Sequence, residues 1–249
     1  MPPHWIDEAV EQVFRRGQAI VRAGGELADW MAIRQGAVSL HIRVAAGTEV
    51  GVAVLWGGDV IGWGSPLGQD RALYDVTALI DVVAVKVQAA TVRAARDAGE
   101  RGPGDDIGRL HSATALRMQE QLALRLAGSG FQRLVNVLAT FAAAFAPTQG
   151  ARGLHIGLPV SQAFMGQLAG LSRRQTWIYL GQLADAGWVR TERAQVMLEA
   201  PAAWLQLPAH VEREGLECIA TADDCSATLG LLCLAAASGR SGGGAVSTR

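Results

Sequence analysis

Two adjacent arginines stand near the start of an otherwise largely apolar segment, residues 170–189, GLSRRQTWIYLGQLADAGWV. The guanidinium groups of Arg173 and Arg174 donate hydrogen bonds in a planar fork that fits phosphate or the O6 and N7 atoms of guanine. A helix N-terminus already carries about half a positive charge, so two cations there are mildly unfavourable unless an anion meets them. The segment is therefore either a solvated helix end or the docking site of an anion such as nucleic acid.

The arginines must be positioned by a pair of short helices joined by a tight turn. Ser161 is suited to cap the first helix, which is predicted to end at Gly170. Ser172 is suited to cap the second helix, and Gln175 completes a capping box three residues later. Two short strands around a turn at 192–194 are expected next. Helix, turn, helix and hairpin in this order predict a winged helix-turn-helix.

The N-terminal part of the chain has a different sequence pattern, with short apolar runs separated by glycines between residues 18 and 87. Alternation of apolar and polar residues in such runs predicts half-buried strands. The apolar members are Val38, Leu40, Ile42 and Val44 in one run and Val50, Val52 and Val54 in the next. Residues 12–90 are therefore predicted to form a β-barrel, roll or sandwich.

A long amphipathic helix is predicted between these two parts, after a glycine-rich hinge in which Asp105 or Asp106 is suited to cap it. Such a helix is either a connector packed on its own chain or the seam of a symmetric dimer, and we expect the seam. The residues assigned to this seam are Ile107, Leu110, Thr114, Met118 and Leu122. A second helix is predicted from Phe131 to about Ala146.

The composition limits the class of protein. Half of the 249 residues are hydrophobic and only 18% are charged, which excludes a disordered chain. The net charge of −1 means that any basic surface must be local. No run is apolar enough to span a membrane, and the first residues do not resemble a secretion signal, so we expect a cytoplasmic protein. The spacing of Cys218, Cys225 and Cys233 fits no common metal site.

The chain up to about residue 208 resembles the Crp–Fnr family of bacterial transcription regulators. AIVRAGGELADWMAIRQGAVSLHIR and GVAVLWGGDVIG are similar to the strands of the family's β-roll, and FQRLVNVLATFA is similar to the helix after the dimer helix. VSQAFMGQLAGLSRRQTWIYLGQLADAGWV is similar to the DNA-binding motif throughout.

This resemblance implies an α+β fold with an N-terminal antiparallel β-roll, a long dimerisation helix and a C-terminal winged helix-turn-helix domain. The expected boundaries are 1–98 for the cyclic-nucleotide-binding-like roll, 99–127 for the hinge and dimerisation helix, 128–208 for the DNA-binding domain and 209–249 for a partly flexible tail. The implied partners are double-stranded DNA with a palindromic promoter site, a second copy of the chain and RNA polymerase. No catalytic residue and no membrane contact are implied.

The resemblance also implies which residues meet DNA, with the recognition helix beginning at Ser172. They are Ser161, Gln162, Ser172, Arg173, Arg174, Gln175, Trp177, Ile178 and Arg193. Arg174 and Ile178 stand where many family members carry glutamate and arginine, so the preferred half-site is expected to differ, with an arginine reading guanine and an isoleucine reading a thymine methyl group. Gln175 either reads adenine or is occupied by capping. Trp177 is assigned to packing or to a backbone contact.

The effector pocket departs further from the family pattern, at Gly62, Trp63, Arg71 and Ala72. Trp63 replaces the glutamate that holds the ribose in nucleotide-binding members, and Ala72 replaces the serine that holds the phosphate. Arg71 survives near the phosphate position. Cyclic AMP is therefore not expected to bind, whether another small-molecule effector exists stays open, and the leading expectation is that no cofactor is required.

Two other classes of function stay open. One is an enzyme whose roll houses a metal, although no pair of histidines or cluster of carboxylates supports a metal site. The other is a sensor or adaptor whose roll binds a protein partner or haem. His4 and His41 are the candidate haem ligands, and a lone histidine on a strand is more often structural.

Overall fold

The structure is a computed structural model that describes residues 9–241 except 46–47, 63, 65–68, 70, 98–102, 150–153 and 193–194. The chain divides into two compact units, Met1–Ala123 and Leu124–Arg249. The predicted α+β class with a β-roll, a long helix and a winged helix-turn-helix is confirmed. No helix in the described part of the chain is both long and apolar enough to cross a lipid bilayer.

The first unit is a roll of two four-stranded antiparallel sheets, ordered β1-β8-β3-β6 and β2-β7-β4-β5. Its strands are β1 (Val10–Phe14), β2 (Ala19–Val21), β3 (Asp29–Gln35), β4 (Ala37–Ala45), β5 (Thr48–Trp56), β6 (Val60–Ile61), β7 (Asp75–Ala78) and β8 (Val82–Gln88). Apolar side chains from both sheets meet in one core, to which β4 contributes Val38 and Leu40. Burial of this shared apolar surface is what holds the two sheets together.

The hairpin of β4 and β5 keeps the predicted pairing but not the predicted alternation. Irregularities after Leu40 and after Arg43 shift the register between the two strands. One extra residue reverses the side chains that follow it, because successive residues of a strand face opposite ways. The core takes Ala53 and Leu55 from β5, while Val52 packs against it and Val54 is also buried. Val44 of β4, which was predicted to face inward, is 60% exposed.

Two helices follow the roll, α1 (Ala89–Asp97) and α2 (Pro103–Leu126). The helix α2 already begins at Pro103, so Asp105 and Asp106 lie inside its first turn. The prediction that one of them caps the helix is therefore wrong. Proline is favoured in this position because it has no backbone N–H to leave unpaired. Ile107 joins a small core cluster with Trp30 of the roll.

The second unit holds the winged helix-turn-helix. Its elements are α3 (Gly130–Gln149), β9 (His155–Leu158), α4 (Gln162–Ala169), α5 (Arg173–Asp185), β10 (Val189–Glu192), β11 (Gln195–Glu199), α6 (Pro201–Glu214), a 3₁₀ turn (Leu216–Ile219) and α7 (Ala222–Ser241). The strands form one antiparallel sheet in the order β10-β11-β9. β9 is a strand that sequence reasoning missed. α3 supplies the fully buried Phe141 and Phe145 to the core.

The C-terminal region is helical and packed through α6 and α7. α6 runs through residue 208, where the sequence placed the end of the domain. α7 buries Cys225, Leu229 and Leu232, and burial raises the pKa of the Cys225 thiol to about 12. The indole Nε1 of Trp188 donates a hydrogen bond to Ser226 Oγ at 2.9 Å. α7 is therefore part of the second unit, whereas residues 242–249 lie outside the described part of the chain.

Candidate nucleic-acid interface

The first helix of the motif, α4, is closed at both ends by local hydrogen bonds. Ser161 Oγ accepts from the backbone N–H of Phe164 at 3.2 Å, which satisfies one of the free donors of the first turn. Gly170 ends the helix in the left-handed region, at φ 63°, and the N–H of Leu171 reaches back to Gly166 O at 2.8 Å. This helix ending turns the chain so that the next helix begins shortly after it.

A glycine lets the two helices of the motif approach closely. A Cβ at Gly166 of α4 would clash with the hydroxyl oxygen of Thr176 on α5. Thr176, Leu180 and Leu183 form the buried face of α5. The opposite face of α5 is consequently the one that is turned to solvent.

The N-terminus of α5 carries the predicted capping box. Ser172 Oγ accepts from the N–H of Gln175 at 3.3 Å, and Gln175 Oε1 accepts from the N–H of Ser172 at 3.0 Å. Of the two alternatives that the sequence left open for Gln175, the structure shows the capping one. The cap uses the side-chain oxygen and leaves the Nε2 donors available.

The solvent-facing side of α5 carries the residues that the sequence singled out. Arg173 and Arg174 are exposed, and neither is paired with an acidic group among the described residues. Trp177 is 67% exposed and Ile178 is 37% exposed. The assignment of Trp177 to packing does not agree with this exposure. The face presents two free cations beside an apolar surface.

α5 is held in place by α3 behind it. The Nε of Arg133 donates to Ala169 O at the end of α4 at 2.9 Å, and its Nη1 donates to Gly128 O at 3.0 Å. The rings of Phe131 and Tyr179 meet edge to face, with 5.7 Å between their centroids. A charged hydrogen-bond donor at the carboxyl end of α4 also complements that helix's dipole.

The hairpin of β10 and β11 forms the wing, with Val189 paired to Leu198 and Glu192 paired to Gln195. The guanidinium of Arg190 bonds the carboxylates of both Glu192 and Glu199. This arginine is therefore neutralised within the wing. Arg193, which was predicted to meet DNA, lies outside the described residues.

Four of the five residues assigned to the dimer seam pack on their own roll. Ile107 and Leu110 belong to the cluster around Trp30, and Met118 lies against the larger core of the roll. Thr114 Oγ1 accepts from the N–H of Val60 at 3.0 Å. Only Leu122, which is 54% exposed, leaves most of its side chain in solvent.

A groove of about 520 Å³ runs beside α2 within the first unit. Its walls are apolar apart from a few polar side chains, and Leu122 forms part of its edge. Leu116, on the same helix, is also exposed. Leu116 and Leu122 are therefore apolar residues of α2 that remain exposed beside this groove.

The cavity inside the roll is small and apolar. It measures about 30 Å³, and its lining includes Ile61, Gly62, Ala72 and Val76. A space of this size holds roughly one water molecule, whereas sites for small molecules measure about 300–1,000 Å³. Arg71 is exposed, and its Nη1 donates to Gly24 O at 2.8 Å. Trp63 lies outside the described residues.

Of the two haem candidates, His41 is the one that the structure describes. His41 Nδ1 lies 3.0 Å from Glu49 Oε1, and burial lowers the pKa of His41. His4 lies outside the described residues. Among the described residues, no three histidine, cysteine, aspartate or glutamate side chains are grouped closely enough to hold a metal ion.

Comparison with known proteins supports the same architecture. Residues 11–98 match the model of the cyclic nucleotide-binding domain. A search of the curated proteins found no match. The structure of FixK2 from Bradyrhizobium japonicum is 18% identical, with 76% of this chain and 92% of that chain covered and a TM-score of 0.62. A CRP/FNR-family transcriptional regulator from Thermus thermophilus is 16% identical, with 85% and 98% covered and a TM-score of 0.62.

These matches define the class of the protein by its fold. The chain combines a domain of the cyclic nucleotide-binding type with a winged helix-turn-helix, in the order found in CRP/FNR regulators. The fold that the resemblance to the Crp–Fnr family implies is confirmed.

Proposed function

We propose that the protein is a sequence-specific, DNA-binding transcription regulator and not an enzyme. The observation that carries this proposal is the solvent-facing side of α5, where Arg173 and Arg174 stand unpaired with any acidic group of the described chain at a capped helix N-terminus. Free cations on a helix of a helix-turn-helix fit the phosphates and guanine edges of the major groove. CRP/FNR regulators, whose fold the chain shares, support the same assignment.

The proposal includes a homodimer acting on a palindromic site. A helix-turn-helix dimer reads two half-sites, so the symmetry of the protein is matched by the symmetry of the DNA. The groove beside α2, with Leu116 and Leu122 exposed next to it, supports α2 as the surface that meets a second copy. As such a regulator, the protein acts in the cytoplasm together with RNA polymerase.

The proposal also includes independence from cyclic AMP. The small cavity beside Ala72 is lined mainly by apolar groups, which offer few partners to a charged phosphate or a sugar hydroxyl. At the position of the family's phosphate-binding serine, Ala72 offers a methyl group, and the Arg71 guanidinium is engaged by a backbone carbonyl. The roll then acts as a scaffold that leaves the ligand-free dimer competent to bind DNA.

One experiment tests the core of this proposal. The full chain is incubated with a pool of random DNA duplexes at several salt concentrations, and retained duplexes are sequenced. A regulator selects a palindromic site with an affinity about 10³–10⁷ times that for bulk DNA, and its binding weakens steeply with salt. Retention of every duplex alike, or of none, would refute the proposed function.

Substitutions in α5 test whether this DNA binding depends on that helix. Arg173→Ala and Arg174→Ala should each cost about 1–3 kcal/mol of binding free energy if the arginine reads a base, or flatten the salt dependence by about one unit if it contacts phosphate. Arg34→Ala is the matched control, because Arg34 is an exposed arginine of the roll that already pairs with Glu11. Unchanged binding by both α5 variants would show that α5 is not the recognition helix.

A further inference from the structure

The largest apolar side chain on the solvent-facing side of α5 is an exposed tryptophan. Trp177 is 67% exposed, and its neighbour Ile178 is 37% exposed. Single exposed hydrophobic residues are ordinary on a protein surface, so exposure alone explains little. The position of Trp177 relative to the two arginines is more informative than its exposure. Trp177 follows Arg173 by four residues and Ile178 follows Arg174 by four, which places each apolar side chain one turn beyond a free cation on the same side of the helix.

A glycine leaves the surface next to the indole open. Gly181 follows Trp177 by four residues in the interior of α5, and no atom lies within 4 Å of the place where its Cβ would stand. Neither packing nor an unusual backbone angle therefore requires glycine there. Glycine inside a helix is less favourable than alanine. A bare backbone at this place lets a bulky partner come close to α5 beside Trp177.

We propose that Trp177 is a specificity-determining residue whose indole, together with Ile178, contacts thymine C5-methyl groups in the major groove. This inference rests on the proposed DNA binding of α5. The thymine methyl is the one apolar group that base edges present in the major groove. An indole has a single N–H donor and no acceptor, so most of its exposed surface suits an apolar contact. The arginines one turn earlier match the negative charge of the flanking backbone.

The proposal predicts the base composition of the half-site. The N-terminal turn of α5 meets guanine or phosphate through its arginines, and the second turn meets one or two thymines. Replacing thymine by deoxyuridine removes only the methyl group and leaves base pairing intact. The replacement therefore isolates the contacts that the protein makes with thymine methyl groups.

The test uses the full chain and the duplex selected from the random pool. Each thymine of the half-site is replaced by deoxyuridine in turn, and the dissociation constant is measured. We expect one or two replacements to weaken binding by about fourfold each, the effect of removing one buried methyl group. The Trp177→Ala variant should lose the sensitivity at the thymine that the indole contacts, and should keep only the sensitivity that Ile178 contributes. Thymines outside the half-sites serve as the control, and their replacement should have no effect.

Other variants keep the test decisive. Arg174→Ala should bind more weakly yet keep the sensitivity to deoxyuridine, because it leaves the indole in place. Trp177→Phe should keep part of the sensitivity. Wild-type protein that is indifferent to every replacement, or Trp177→Ala protein that keeps the full sensitivity, would overturn this inference while leaving DNA binding intact. Absence of any selected duplex would instead overturn the proposed function, and this inference with it.

Discussion

The Nη1 of Arg117 donates a hydrogen bond to Oδ2 of Asp59 across 2.9 Å, and the carboxylate of Asp59 is wholly excluded from solvent. The same oxygen accepts from the N–H of Trp56 at 2.9 Å. The guanidinium of Arg117 also lies over the Trp56 ring, 4.0 Å from its centroid. A turn of the roll is thereby joined to the middle of α2.

Other polar side chains of α2 extend this connection along one side of the helix. Gln121 forms two hydrogen bonds with the backbone of Val54, one through each end of its amide. His111 Nε2 accepts from the Nε1 of Trp30 at 2.8 Å. α2 is therefore attached to its own roll by directional bonds, which fix the position of the helix along its axis more tightly than apolar packing does.

Removal of Arg117 tests the strength of this attachment. Arg117→Met leaves the Asp59 carboxylate buried without its cation, and we expect a loss of about 3–5 kcal/mol in the free energy of unfolding of the first unit. Urea unfolding followed by tryptophan fluorescence measures it. Arg34→Met is the control, since the ion pair of Arg34 with Glu11 is exposed and should be worth less than about 1 kcal/mol. Equal losses of unfolding free energy in the two variants would contradict the conclusion that the buried pair of Arg117 and Asp59 attaches α2 to the roll.

The bond from Trp30 to His111 predicts a dependence on pH. Because His111 Nε2 accepts from the indole, this histidine must be neutral, and burial lowers its pKa in the folded protein. A lowered pKa means that the unfolded chain binds the proton more readily. Stability is then fully present above the unfolded pKa of about 6.5 and falls as the pH drops below it.

The His111→Gln variant isolates this effect. Glutamine keeps an acceptor but does not titrate, so the thermal stability of the variant should fall less between pH ~7.5 and ~5 than that of the wild type. His155→Gln is the matched control, because it makes the same substitution at an exposed histidine of β9 that takes no part in the bond to Trp30. A His111→Gln profile that is parallel to the wild type would show that this histidine does not titrate in that range.

Local signals predicted the helix-turn-helix well. Ser161, Gly170, Ser172 and Gln175 act on backbone groups only a few residues away, so their effect can be read from a short window of sequence. The attachment of α2 could not be read in this way. Asp59 and Arg117 are 58 positions apart, and nothing in either neighbourhood specifies the other.

The same reasoning explains two smaller errors. Strict alternation along β4 and β5 was not found because a register shift within a hairpin depends on the pairing of both strands, not on the residues of one. β9 was missed because four residues carry too little pattern to be distinguished from a loop. It exists because β11 supplies a partner edge, with Leu158 paired to Val196.

Two glycines of the DNA-binding motif should respond in opposite ways to alanine. Gly166→Ala places a methyl group against the hydroxyl of Thr176, so it should destabilise the second unit by about 1–3 kcal/mol, the range for overpacking. Gly181→Ala meets nothing and should stabilise α5 by up to about 1 kcal/mol. Urea unfolding of both variants is the measurement. A stabilising Gly166→Ala would mean that α4 and α5 are not in close contact.

The helical C-terminal region makes a prediction of its own. Leu229 of α7 is fully buried, whereas Leu231 is 58% exposed two residues later. Leu229→Ala should cost about 2–5 kcal/mol of stability, and Leu231→Ala should cost little. Urea unfolding of the full-length variants measures both. If the two substitutions were equivalent, α7 would not be packed on the second unit.

Cyclic nucleotides should not bind the roll. Cyclic AMP and cyclic GMP carry a charged phosphate and a polar sugar, and the mainly apolar lining of the cavity beside Ala72 offers few partners to either. Arg71 donates to the carbonyl of Gly24, and Ala72 has no hydroxyl to give to a phosphate. Calorimetric titration of the full chain should therefore show no saturable binding of either nucleotide at micromolar concentrations.

The Ala72→Ser variant separates the two reasons for this expectation. If the apolar lining of the cavity is what excludes the nucleotide, restoring a hydroxyl leaves calorimetry unchanged; if only the missing hydroxyl excludes it, the variant gains binding. We expect no gain, because one hydroxyl does not supply the other polar partners that a charged phosphate and a sugar need. DNA binding by the wild type should likewise be the same with and without added cyclic AMP. Micromolar binding of either nucleotide to the wild type would contradict the proposed independence from cyclic nucleotides and would indicate that a nucleotide regulates DNA binding.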